Sequence, residues 1–144
     1  MNSFLSEREA ILIISLKFLT GDMEKILVLS PGRQRYLIDL FKVYFEVYIG
    51  DNNDLILETY KEFTSLKMPL YGSEEYMDVL TSFICEHEIN YVLTLSDIEV
   101  VVLSGNEVLL ENAGCHLIGL PYDKALLCLD KYLFYEYLIT NGIY

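Results

Sequence analysis

The stretch that most constrains this chain is Lys25-Ile26-Leu27-Val28-Leu29-Ser30-Pro31-Gly32-Arg33-Gln34-Arg35-Tyr36. A short aliphatic run followed by Ser-Pro-Gly reads as a strand, a tight turn and the start of a helix. A strand without a polar face belongs in the middle of a parallel sheet, with helices on both sides. The helix that follows such a turn begins with unpaired backbone N–H groups. Gly32, with Arg33 and Arg35 adding positive charge, is therefore a candidate anion site. Ser-Pro-Gly-Arg is neither the dinucleotide fingerprint nor a P-loop. The same turn serves any doubly wound domain as its first connection, and the residues alone favour that reading.

The chain then keeps a strand–helix rhythm. Residues 35–44 predict a helix whose apolar stripe, Leu37, Leu40, Phe41 and Tyr44, packs on a sheet. Residues 46–50 are a second strand, and Asp51 follows it directly. An acid there is where a Rossmann domain holds a ribose hydroxyl. Asp51-Asn52-Asn53-Asp54 is also a turn with a helix cap, and the turn is favoured. Residues 55–60 are a short helix, and 62–68 a third strand closed by Pro69. A helix beginning at Ser73-Glu74-Glu75 buries Tyr76, Val79, Leu80, Phe83 and Ile84. Residues 90–95 are a fourth strand. Ser96-Asp97-Ile98-Glu99 follows at its carboxyl end, the edge where open α/β sheets place ligands.

Residues 98–112 are locally ambiguous. Valine-rich 98–103 and the Gly105-Asn106 pair favour a hairpin, whereas a parallel sheet needs a crossover helix at this point. The helix is the expectation, because β-branched residues cost a helix only about 0.5 kcal/mol each. Residues 115–120 are a fifth strand ended by Pro121. Helices over 123–129 and 130–140 follow, and Asn141-Gly142 stops the last one. The pattern predicts an α/β fold: an open, doubly wound, mainly parallel five-stranded sheet over 23–144. Residues 1–22 form a helical extension, with Ser6 as N-cap of an apolar run at 10–16 that covers an apolar surface of this molecule or of a second copy. That run is too short to span a bilayer, and Glu7 and Glu9 around Arg8 do not make a signal peptide.

Charge and cysteines exclude several classes. A net charge of −12 over 144 residues argues against nucleic acid or an anionic membrane as partner. Three widely spaced cysteines, Cys85, Cys115 and Cys128, offer neither zinc spacing nor a secreted disulfide framework. They are expected to be buried reduced thiols in a cytoplasmic protein. His87 and His116 lack a ligand-spaced partner and read as structural or surface residues.

Four segments in order resemble the N-terminal (pre-ATP-grasp) domain of ATP-grasp ligases, most closely short carbamoyl-phosphate-synthase large-subunit-like proteins. They are the opening strand with its Gly32-Arg33 turn, Val47-Tyr48-Ile49-Gly50-Asp51, Leu95-Ser96-Asp97-Ile98-Glu99, and Cys128-Leu129-Asp130-Lys131-Tyr132-Leu133-Phe134. The resemblance implies a Rossmann-like domain that packs against two ATP-binding lobes and shapes the acceptor pocket. ATP and Mg2+ are implied for the full-length enzyme and no cofactor for this chain. Lys131 would reach toward nucleotide; Arg33, Asp97 and Glu99 would face the acceptor or the neighbouring lobe. The chain departs from the family in having no glycine-rich phosphate loop and no late Glu/Asn metal ligands, so no ligase activity is expected of it alone. Twelve tyrosines and a high apolar content fit a surface meant to be covered, by those lobes or by a second copy. The competing reading is a stand-alone flavodoxin-like module that binds a small ligand or regulates.

Overall fold

The computed structural model describes residue 20 and residues 23–143; the helical extension expected before Met23 lies outside them but for Thr20. Five strands form one all-parallel sheet: β1 (Lys25–Leu29), β2 (Glu46–Asp51), β3 (Ser65–Lys67), β4 (Tyr91–Thr94) and β5 (His116–Ile118). Their order across the sheet is β3-β2-β1-β4-β5. The run that reads as a central strand is the central strand, pairing Leu27 with Tyr48 on one side and with Val92 on the other. The order reverses direction at β1 and β4, which creates the switch point where open α/β sheets leave a crevice.

The helices are α1 (Arg35–Phe41), α2 (Asp54–Thr59), α3 (Tyr76–His87), α4 (Asp97–Gly105), α5 (Glu107–Asn112), α6 (Tyr122–Leu129) and α7 (Lys131–Thr140). One face of the sheet carries Leu27, Leu29, Tyr48 and Val92 under Leu80, Phe83 and Ile84 of α3, Leu103 of α4 and Leu110 of α5. The other carries Ile26, Val28, Val47 and Ile49 under Ile38 of α1 and Tyr60 beside α2. Alternate residues of β1 enter different cores, and Ile26 to Leu29 are fully buried. Removing each of these side chains from water contributes about 1.5–3 kcal/mol. Gly50 on β2 lies close under the end of the Leu29 side chain, which would have to shift to admit a Cβ there.

Several expectations need correction. The crossover between β4 and β5 is helical, but it is two helices broken at Asn106, whose side chain bonds back to the Val102 carbonyl (2.8 Å). This competition for helix carbonyls is typical of asparagine. The first helix stops at Phe41 rather than Tyr44; it buries Ile38 with Phe41 packed half-buried beside it, and of the expected stripe Leu40 and Tyr44 do not pack on the sheet. Leu40 and Tyr44 are 53% and 48% exposed. The third strand is shorter than 62–68, and its central residue Leu66 packs half-buried. Val79 is half-buried on the flank of α3. Cys115 is buried, which pushes its thiol up to about 12, but Cys85 and Cys128 are exposed. Their apolar neighbours lie along the chain on helix faces that point elsewhere. His87 packs on the rings of Phe83 and Tyr48, and His116 is exposed beside Tyr91, as structural and surface residues. No helix among the described residues is long and apolar enough to cross a membrane.

Candidate functional site at the strand ends

The carboxyl edge of the sheet is organised around Glu99, the third residue of α4. It is only 6% exposed although it carries a carboxyl group. Position 99 lies one turn before the buried Leu103, so helical periodicity turns it inward. Three hydroxyls satisfy it. Ser30 Oγ and Thr94 Oγ1 each donate to Oε2 at 2.6 Å, and Tyr76 OH donates to Oε1 at 3.0 Å. Burial pushes the Tyr76 phenol well above its usual range, and the Glu99 charge adds to this. Buried polar atoms without partners cost about 1–3 kcal/mol each, so this knot holds β1, β4, α3 and α4 together only as a complete set.

Ser30 leaves β1 with a positive φ of 49°, which a non-glycine residue adopts only when its surroundings hold it there. Its N–H donates to the Gly50 carbonyl (2.8 Å), and its hydroxyl is held by Glu99. Gly32, at φ 53°, needs its glycine for the tight turn closed by Gln34 N–H on the Pro31 carbonyl (3.0 Å). Tyr60 OH donates to the Gly32 carbonyl (3.2 Å), so α2 pins the turn from the other side.

Asp51 ends β2 and is buried. Its Oδ1 accepts the Asn53 N–H (2.8 Å), and Asn53 Oδ1 in turn caps α2 at Leu55 N–H (2.9 Å). The turn reading of this segment is therefore realised. Burial pushes the Asp51 carboxyl above its ordinary range. The Glu99 charge adds to that, while the Asn53 amide opposes it.

The candidate residues fall into groups. Gly32, Asp51 and Glu99 share the edge through the Ser30 turn. Arg33 is exposed in that turn, with no hydrogen bond or ion pair among the described residues. Arg35 is turned away: it pairs with Asp39 (3.0 Å) and Glu62 and lies over the Tyr60 and Phe63 rings. Its charge therefore belongs to the α1–α2 junction. Asp97 is exposed at the start of α4 and borders a cavity of about 120 Å³ shared with Leu120, Cys128 and Leu129. That cavity places the end of α6 beside the start of α4. Asp130 follows and caps α7 through Tyr132 and Leu133 N–H (2.9 and 3.1 Å), and Lys131 is exposed next to it. Sequence reasoning missed Ser30, Tyr76 and Thr94 as partners of Glu99. The available signal was a glutamate one turn before a leucine in an otherwise apolar helix segment.

The donor set does not fit a magnesium ion, because both Glu99 oxygens accept hydroxyls and Asp51 is held by a backbone amide. Among the described residues, no group of three or more His, Cys, Asp or Glu could hold a metal ion.

An all-parallel sheet in the order 3-2-1-4-5, with its polar residues at the switch point, defines a Rossmann-like α/β domain. The family described as "PylC-like, N-terminal domain" matches residues 26–118, and the chain belongs to that family, the Rossmann-like domain that precedes the ATP-grasp fold in ligases. The match runs from β1 through β5, so α6, α7 and Lys131 lie beyond it. No curated protein matches the chain.

Proposed function

We propose that this chain serves as the acceptor-side domain of an ATP-grasp ligase of the carboxylate–amine or carbamoyl-phosphate-synthase-like kind, acting in the cytoplasm with ATP-grasp lobes as its partner. ATP and Mg2+ would be held by those lobes. The observation that carries this reading is the Glu99 knot, which fixes the Ser30–Gly32 turn at the switch point of a domain from a family that precedes the ATP-grasp fold. The knot is fully satisfied from within, so its role is to position. Among the described residues, Arg33, which has no hydrogen bond or ion pair there, and the exposed Asp97 are the groups placed to touch an acceptor. A guanidinium suits a carboxylate or phosphate on that acceptor. Lys131, a point charge at the start of α7, would approach the nucleotide.

Calorimetric titration of this chain with Mg2+–ATP tests the division of labour. No heat of binding is expected. Saturable heat would overturn the acceptor-side reading in favour of a stand-alone nucleotide-binding module. In a ligase that contains this domain, Lys131→Ala is expected to raise the KM for ATP severalfold with the domain still folded. An unchanged KM would remove Lys131 from the nucleotide site.

A further inference from the structure

The helices that follow the fourth and fifth strands pack on each other, but they do not close completely at the carboxyl edge. Asp97 and Val100 stand three residues apart on one flank of α4. Ala125, Cys128 and Leu129 stand three and four residues apart on one flank of α6. With Leu120, from the loop after β5, these two flanks line the cavity of about 120 Å³ described above. Ala125 is the buried residue of α6, and its single methyl group leaves unfilled the space that a larger side chain would take.

Three properties of the cavity define what it takes. Its walls at Val100, Leu120, Ala125 and Leu129 are aliphatic. An apolar body therefore gains by entering, about fourfold in affinity for each methylene removed from water. Its size admits only a short group. An apolar cavity of about 150 Å³ takes up a benzene ring, so this smaller one suits a branched chain of about four carbons and refuses a ring. Its charged feature is the Asp97 carboxylate, exposed and without a hydrogen bond or ion pair among the described residues. A carboxylate at the edge of an apolar hollow favours a ligand whose positive charge stays in water beside it while its carbon body is buried. The net charge of −12 also draws small cations toward the surface.

We propose that this cavity is a side pocket for the acceptor and takes a short branched aliphatic group that bears an ammonium. Val100 and Ala125 set the size limit, and Asp97 sets the charge. Naming that ligand the acceptor rests on the acceptor-side reading, whereas the size and charge it must have follow from the cavity alone.

The test is a nuclear magnetic resonance titration of the isotopically labelled full chain with isobutylammonium at constant ionic strength. Saturable shifts are expected at the amides of Asp97, Val100, Ala125 and Leu129, with a dissociation constant in the millimolar range. None are expected at Ile26 or Val47, in the core on the other face of the sheet. Neutral isobutanol is expected to bind several-fold more weakly, and benzylammonium not to saturate. Asp97→Asn is expected to erase the difference between isobutylammonium and isobutanol. Ala125→Val, which fills the cavity, is expected to abolish binding of isobutylammonium. Val100→Ala, which removes two methyl groups from a half-buried wall, is expected to admit benzylammonium, and it carries the size test alone should Ala125→Val not fold. No saturable shift with isobutylammonium, equal binding of isobutanol, or binding of benzylammonium by the parent chain would each overturn the proposal. None of these measurements involves nucleotide, so they fail separately from the Mg2+–ATP titration. Saturable heat in that titration, with isobutylammonium still bound in this one, would keep the pocket and overturn its assignment to an acceptor.

Discussion

The two faces of this sheet are made from the same strands and differ in what lies on them. On the face under α3, α4 and α5, Leu27, Leu29 and Val92 are completely buried, and the core runs unbroken from Met68 to Cys115. On the other face burial is complete over β1 and partial over β4, and it gives way to exposure at Ile118 of β5. Residues of β4 alternate between these conditions: Val92 and Thr94 are buried, Tyr91 and Leu93 half-buried. Apolar character therefore says that a side chain is meant to be covered. It does not say by which element.

The comparison can be broken by substitution. Leu80→Ala, in the closed core, is expected to lose about 2–5 kcal/mol in denaturant unfolding, because the well-packed site cannot collapse onto the cavity. A loss under 1 kcal/mol would mean that the closed face is no tighter than the open one. Glu99→Leu is next, at about 2–4 kcal/mol, since it leaves the hydroxyls of Ser30, Thr94 and Tyr76 without their common acceptor. Full stability in that variant would show that the knot does not hold the strand ends. Ile118→Ala is expected to cost under about 1 kcal/mol in the same measurement, because the side chain is already 44% exposed. A loss as large as that of Leu80→Ala would show that Ile118 is as well packed as the closed core.

The smallest expected effect concerns Asp51. Its carboxyl is pushed up in the folded state, so the folded chain holds the proton more tightly than the unfolded chain does. Stability should therefore decline as pH rises from the ordinary aspartate range through the raised folded value, and then level off. Asp51→Asn keeps an oxygen for the Asn53 amide and should abolish that decline. Parallel pH–stability curves for the two proteins would show that burial does not perturb the group.

The parallel sheet with β1 in its middle was legible because the crossover constraint is strong, whereas the order of the other strands came from the structure. A buried β1 and helices between strands leave few topologies, and that constraint decided correctly for a helical crossover at 98–112 against the local hairpin signal. Gly32, Asp51 and Glu99 were singled out by their position after strands, and the fold sets all three at the carboxyl edge of the sheet, Glu99 through Ser30 and Asp51 at the end of β2. Arg35 was legible as a cation, but its partners Asp39 and Glu62 were not, because Glu62 comes from the loop after another helix. Ser30, Tyr76 and Thr94 were not singled out, since a hydroxyl becomes a partner only when the fold brings it to a buried acceptor.

By itself the sequence determined the alternation of strands and helices, the central place of β1 and the acidic surface, because local periodicity and charge need no tertiary information. Tertiary structure alone decided the break at Asn106, the exposure of Cys85 and Cys128, the hydroxyl knot on Glu99 and the face of α1 that meets the sheet. The physical reason is that an apolar helix flank and an inward carboxyl are each compatible with several neighbours. Only the packing of residues distant in the chain selects one of them.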